Sequence, residues 1–324
     1  MFINSIRLGI PSKGRMEQQT LDFLSNCGLE VKRNGREYLA TMANFPEIQV
    51  VFQRQEDIVK GVANGMLSLG ITGYDLTQEI PSNDEEILIL HQKLGFGNCN
   101  LEVVIPENWN ISEISELVNG TRFRVASKFP RLTARFFEKE KIAYTFVEGA
   151  GTLEVSPALG NADLIVDLVS TGRTLEDNRL KRIRNGKIIS SQACFFVNGQ
   201  AILNEEIFKI AKQLLEYFEA TIRADRYVNI FANLRGDPAI VLKNVKMADG
   251  LEGLQGATIS PIFRNDPWFA MHIVVEKTKL PRIIRAIRQI GGSGIVVTQP
   301  QYIFEEEPPQ YKTLLQEVQR RKGL

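Results

Sequence analysis

The fold is read outward from Ala162-Asp163-Leu164-Ile165-Val166-Asp167-Leu168-Val169-Ser170-Thr171-Gly172-Arg173-Thr174-Leu175. The apolar, β-branched run from Leu164 predicts a buried strand. It ends on an acid, turns through Ser-Thr-Gly-x-Thr, and leads into a helix expected to start near Leu175. A strand, a hydroxyl- and glycine-rich turn and a helix N-terminus together make an anion site. Unpaired N–H groups point outward, the dipole is positive there, and Ser170, Thr171 and Thr174 add hydroxyl donors. Glycine at 172 lets backbone approach a phosphate closely. Asp167, just before the turn, can accept hydrogen bonds from a sugar diol. Phosphate plus diol describes a ribose 5-phosphate. Turn chemistry alone favours a helix capped by threonine; the acid at fixed distance before Ser-Thr-Gly-Arg-Thr turns the reading toward the ligand.

The chain has 324 residues, enough for two or three domains, and a 44% hydrophobic fraction, enough for real cores. A net charge of +1 and a pI of about 7.7 suggest neither bulk nucleic-acid nor anionic-membrane binding. Three cysteines (Cys27, Cys99, Cys194) form no CxxC pair. They fit a reducing compartment and argue against a disulfide framework or zinc site. With only His91 and His272 there is no HExxH motif. The N-terminal residues lack a signal-peptide pattern and no apolar run reaches membrane length, so a cytoplasmic protein is expected.

Ile6 to Ile10 predicts a first strand, followed by Ser12-Lys13-Gly14-Arg15 and an amphipathic helix. This is the opening unit of an α/β sheet, and Lys13 and Arg15 can meet phosphates or simply be solvated. Ile48 to Phe52 is a strand followed by Arg54. Leu67 to Asp75 echoes the 162–175 stretch: helix, short strand, Thr-Gly turn, new helix. Such a pseudo-repeat predicts two similar lobes with both turns at a shared cleft. Leu101 to Ile105 is read as the strand before a crossing into the second lobe. Lys128, in the turn after Phe123 to Ala126, can contact a phosphate but reads more as a surface residue. Glu154 lies one short helix upstream of the central strand, facing the same cleft or solvated at a helix start. The chain then returns to the first lobe after Lys187. The expected domains are 1–105 with 187–224, 106–186, and 225–324. The last reads βαββαβ, the ferredoxin-like order, plus a terminal helix with Tyr311, Leu314, Leu315 and Val318 on one face. His272, inside an apolar strand, is read as structural.

With these pieces in place the chain resembles the ATP phosphoribosyltransferases, in their long form with a regulatory C-terminal domain. The 162–175 run carries the resemblance most specifically. Gly151-x-x-Glu154-Val155-x-Pro157, Ser12-Lys13-Gly14-Arg15, Leu69-Gly70-Ile71-x-Gly73 and Phe96-Gly97-x-Cys99 support it. Orotate- and adenine-type phosphoribosyltransferases share an acid before Thr-Gly-x-Thr, normally with paired acids in the strand; here Asp167 follows Val166. The resemblance implies an α/β fold of two periplasmic-binding-protein-like lobes plus the ferredoxin-like βαββαβ regulatory domain.

The implied reaction condenses ATP with 5-phosphoribosyl pyrophosphate (PRPP), giving phosphoribosyl-ATP and pyrophosphate. Mg²⁺ would be held mainly by substrate phosphates, with no protein ligand assigned. Asp167, Ser170, Thr171, Gly172, Arg173, Thr174 and Glu154 would bind PRPP. Lys13, Arg15 and Arg54 would hold pyrophosphate or the ATP phosphates. Asp167, Glu154, Lys13 and Arg15 are the expected catalytic set. The resemblance further implies histidine as inhibitor and homo-oligomers, dimers assembling to hexamers. The alternative is a non-catalytic two-lobe ligand binder or regulatory subunit.

Overall fold

The computed structural model describes residues 6–35, 37–83, 86–147, 152–247, 251–262 and 268–322. Contacts group the chain into two compact units, Met1–Gln213 with Lys312–Leu324, and Leu214–Tyr311. The first unit begins with β1 (Ile6–Pro11), α1 (Gly14–Asn26), β2 (Val31–Lys32), β3 (Leu39–Met42), β4 (Phe45–Gln53), α2 (Gln55–Ala63), β5 (Leu69–Gly73), α3 (Tyr74–Glu79) and β6 (Ile87–His91). It continues through β7 (Cys99–Pro106), β8 (Phe123–Ser127), α4 (Pro130–Glu140), β9 (Tyr144–Val147), β10 (Leu164–Val169), α5 (Arg173–Asp177), β11 (Leu180–Ser191) and β12 (Ala193–Asn198). The helix α6 (Glu205–Ala224) then runs across the boundary in sequence.

Two sheets form, ordered β2-β3-β4-β1-β5-β12-β6 and β11-β7-β10-β8-β9. They follow one plan. In the first, β5 lies between parallel β1 and antiparallel β12. In the second, β10 lies between parallel β8 and antiparallel β7. The 67–75 and 162–175 stretches therefore occupy equivalent central positions, each opening at its carboxyl end into a short helix.

The sheet pairing moves two expected boundaries. Residues 99–106 belong to the second sheet, because β7 hydrogen-bonds along both β10 and β11. The crossing into the second lobe thus precedes Cys99 rather than following 105. β11 stays paired to β7 through Ser191, so the return comes at Gln192 and not at 187.

Glycine lets helices sit low on the first sheet. A Cβ on Gly9 or Gly70 would come within 3.0 Å of Ile58 Cγ2. Ile58, Val59 and Val62 of α2 are fully buried there. That packing fixes where α2 starts, and so where Arg54 stands at its N-terminus.

The second unit contains β13 (Tyr227–Arg235), α7 (Pro238–Met247), β14 (Thr258–Ile262), β15 (Trp268–Glu276), α8 (Leu280–Gln289) and β16 (Ser293–Thr298). The sheet order β14-β15-β13-β16 is the ferredoxin-like arrangement. Its core joins Ile230, Met271 and Ile273 of the sheet to Ile283 and Ile287 of α8. His272 sits on the other face, stacked on Phe231 with ring centroids 4.6 Å apart. The terminal helix α9 (Pro309–Lys322) departs from the expected 225–324 domain, since Lys312–Leu324 groups with the first unit. Arg321 Nη1 donates to the Gly199 carbonyl at 2.9 Å, which ties it there. Among the described residues no helix is long and apolar enough to cross a membrane.

Gly70→Ala tests the close packing. The added methyl would meet the Phe196 ring at 2.6 Å, an overpacking expected to cost about 1–3 kcal/mol. The urea midpoint of the first unit should fall; an unchanged midpoint would show that Phe196 yields freely.

Candidate functional site

The side-chain period of β10 divides its residues between two faces. Leu164 and Val166 join the core beneath α4. Ile165 and Val169 join a smaller cluster with Leu153, Leu175 and Leu180. Asp167 shares that second face, half-buried at the point where the apolar run stops. The strand ends at Val169, and Gly172 adopts φ +85°, a left-handed conformation that favours glycine. The helix α5 begins at Arg173, two residues earlier than expected, and has only five residues. Gly172 is its N-cap, with no side-chain cap hydrogen bond. The threonine-cap reading of the turn is thereby set aside. Ser170, Thr171, Arg173 and Thr174 are exposed. A helix this short sums few peptide dipoles, so the turn depends on local donors more than on a macrodipole.

Asp167 and Glu154 stand close enough for the charge of one to act on the other. Glu154 lies in a one-turn 3₁₀ helix, Leu153–Val155, and Leu153 packs in the cluster beside Val169 and Leu175. Burial raises the Asp167 carboxyl above its ordinary value, and the charge of Glu154 pushes the same way. The Leu168 N–H, donating to Asp167 Oδ1 at 2.8 Å, and the charge of Lys128 oppose the rise. Lys128, read from sequence as a surface residue, is exposed but stands close enough to act on this acid. Its signal was its position after β8, the parallel neighbour of β10. Gly151 of the Gly151-x-x-Glu154 motif lies outside the described residues.

Lys13, Arg15 and Arg54 gather on the other sheet. β1 and β4 are parallel, with Pro11 opposite Gln53, and the Ser12 N–H donates to the Gln53 carbonyl at 2.8 Å. Lys13 and Arg54 therefore leave adjacent carboxyl ends, at the N-caps of α1 and α2. All three cations are exposed. The turn after β5, parallel to β1, opens on the same edge.

Two short segments join the lobes, 92–98 and Gln192. They are tied together: the Leu94 N–H donates to the Ala193 carbonyl and the Ala193 N–H to the Phe96 carbonyl, at 3.0 and 2.9 Å. A cavity of about 250 Å³ lies there, lined by Tyr74, Lys93, Asn98, Asn100, Ser170 and Gln192 among others. It brings the first-lobe turn and the second-lobe turn onto one space. Sequence reasoning missed Lys93 and the amides; the Phe96-Gly97-x-Cys99 motif was the signal pointing there. Asp75 is buried beside it, where Ser191 Oγ donates to Asp75 Oδ1 at 2.5 Å. Burial raises the Asp75 carboxyl. Burial also pushes the Cys99 thiol up to about 11, so it is no nucleophile at neutral pH.

Comparison with known proteins places these features in company. A family model described as ATP phosphoribosyltransferase matches residues 54–217, and one described as the HisG C-terminal domain matches 224–301. ATP phosphoribosyltransferase 2, chloroplastic, of Arabidopsis thaliana is 39% identical over 96% of this chain and 80% of its own length. The ATP phosphoribosyltransferase of Methanococcus maripaludis strain C6 is 32% identical over 90% of this chain and 97% of its own. A solved ATP phosphoribosyl transferase (HisG:HisZ) complex from Thermotoga maritima shares the fold, with a TM-score of 0.54 at 24% identity, over 66% of this chain and 98% of that one.

His91, at the end of β6, gives the joining segment a pH dependence. Its Nδ1 accepts the Lys93 N–H at 3.3 Å, and burial lowers its pKa from 6.5 to about 4. Below pH 6.5 the unfolded chain binds a proton that the folded chain refuses until about pH 4. Stability is therefore lost as pH falls through that window, by up to about 3 kcal/mol. His91→Asn keeps an acceptor without the titration. The unfolding free energy of wild type minus variant should fall between pH 6.5 and 4; a flat difference would show that His91 does not resist protonation.

Proposed function

The chain belongs to the ATP phosphoribosyltransferase family, whose reaction joins ATP to PRPP in the first step of histidine biosynthesis; from that premise we propose how its own residues share the work. The observation that carries the proposal is Asp167, half-buried at a strand end beside Glu154 and immediately before an exposed hydroxyl and glycine turn.

The 5-phosphate sits on Ser170, Thr171, Gly172, Arg173 and Thr174, whose hydroxyls and N–H groups donate to it. Asp167 and Glu154 accept from the ribose hydroxyls. Lys13, Arg15 and Arg54, on the facing sheet edge, hold the pyrophosphate or the ATP phosphates. N1 of neutral adenine already carries a lone pair, so attack on ribose C1 needs no general base. The difficult event is loss of pyrophosphate from a carbon gaining oxocarbenium character. Positioning and fixed charge do most of the work. The carboxylates lie on the ribose side, where positive charge develops, and the cations lie where negative charge leaves.

Among the described residues there is no group of three or more His, Cys, Asp or Glu side chains that could hold a metal ion. Mg²⁺ is proposed to be carried mainly by substrate phosphate oxygens, as this ion often is. When bound, the ion neutralises charge on the leaving pyrophosphate.

The βαββαβ unit is proposed to take histidine as an inhibitor, and the chain to assemble as a homo-oligomer, dimers building a hexamer. The compartment is proposed to be the cytoplasm, on the cysteine usage of the sequence.

Pyrophosphate release on mixing the protein with ATP, PRPP and Mg²⁺ separates this enzyme from a two-lobe binder. Asp167→Ala and Thr174→Ala should each lower kcat/KM for PRPP by about a hundredfold or more. Near wild-type turnover in both would refute the site. Free histidine should slow the intact chain, and removing residues from 226 onward should abolish that response in a variant whose oligomer is first checked by gel filtration. Retained inhibition would place the effector elsewhere.

A further inference from the structure

The proposed phosphate turn lacks a fixed cation of its own. Its hydroxyls and N–H groups are neutral, α5 is a helix of five residues with little dipole, and Arg173 is exposed. A phosphate monoester carries about −1.5 to −2 charges near neutral pH. Besides Arg173 of the turn itself, a neighbouring element can add charge.

β11 supplies it. Arg182 lies opposite Val104 of β7, and Glu102, two residues back along β7, lies opposite Asp167 of β10. Residues directly opposite on paired strands share a face, as do alternate residues on one strand. Arg182, Glu102 and Asp167 thus project to the same side, the side that α5 covers. Arg182 Nε is 3.8 Å from Glu102 Oε2, and the Glu102 side chain is only 12% exposed against 48% for Arg182. The acid is the anchored partner and the guanidinium reaches outward. It reaches Gly172: a Cβ built there would stand 3.3 Å from Arg182 Nη2, 3.6 Å from Cζ and 3.9 Å from Nε. Glycine at 172 is favoured by its positive φ, and the guanidinium packs against the space a side chain would take there.

Resting on the reading of Ser170–Thr174 as the 5-phosphate site, we propose that Arg182 is a further PRPP-binding residue, the cation that neutralises the 5-phosphate from beneath the turn, and that Glu102 is its positioning residue. Arginine suits the task because its planar fork can keep one edge on Glu102 and offer the other to phosphate oxygens.

The test compares Arg182→Ala, Arg182→Lys and Glu102→Gln with wild type. Arg182→Ala should raise KM for PRPP about 10- to 100-fold, with kcat and KM for ATP within about twofold. Competitive inhibition by ribose 5-phosphate should weaken in parallel, while inhibition by pyrophosphate stays as in wild type. Arg182→Lys should recover part of the loss, and Glu102→Gln should show a smaller rise in KM for PRPP. Unfolding midpoints and far-ultraviolet circular dichroism check that each variant folds; should Arg182→Ala fail, Arg182→Lys carries the comparison. An unchanged KM for PRPP in both arginine variants would overturn the assignment, as would equal weakening toward ribose 5-phosphate and pyrophosphate. Asp167→Ala is the internal reference. If it loses kcat/KM while the arginine variants do not, only the Arg182 role falls; if none loses it, the turn is not the phosphate site.

Discussion

The constraint on which the architecture depends is the pairing of each crossover strand into the sheet it enters. β7 runs antiparallel to β10 and β12 antiparallel to β5, so the chain leaves and re-enters each lobe beside its central strand. The two linking segments then meet and bond through residues 94, 96 and 193. Because both central strands end toward this junction, both turns open onto it. A cleft lined by strand ends and helix starts follows from this register, as does the distribution of charge across it. Exposed cations collect where three parallel strands end on one side, and acids with hydroxyls on the other.

Placing a carboxylate at the end of an apolar strand has a cost. Asp167 is partly withdrawn from water, next to a second acid. The fold offsets this with one backbone N–H and with Lys128 rather than with a full ion pair. A tight internal partner would occupy the oxygens that a sugar diol needs. Elsewhere in the same lobe the chain uses such partners freely: Asp163 takes both the N–H and the guanidinium of Arg124, at 2.7 Å each. Two acids four residues apart thus do different jobs, one satisfied and structural, the other left under-paired.

How far the sequence foretells this depends on the range of the interaction. The strand at 164–169, the turn, and the βαββαβ order are written in local patterns of period two, glycine placement and helix periodicity, and all are found. The membership of residues 99–105 is not local: an apolar strand reads alike in either sheet, and only pairing to β10 and β11 decides it. The terminal helix is similar, since a one-sided apolar face says that it docks but not where. Asp167 draws notice because it immediately precedes the turn, and Glu154 because it belongs to a motif one short helix upstream of the same strand. Lys93 and Lys128 have only indirect signals, a nearby motif and a position after β8, and Arg182 of β11 carries no mark that separates it from a solvated cation.

The helix α4 shows what the anion turn is not. Its first N–H groups, those of Arg131 and Leu132, would form an anion site by the same logic as the 170–174 turn. They are taken by Glu79 of α3, whose two carboxylate oxygens accept at 2.8 and 2.9 Å. An acid of the first lobe thus caps a helix of the second, and charge-assisted bonds of this kind are among the stronger ones. The contact closes that helix end and ties the two lobes together. With that helix end closed, the turn before α5 keeps its hydroxyls exposed, and the proposed cation from β11 would complement the charge proposed to sit there.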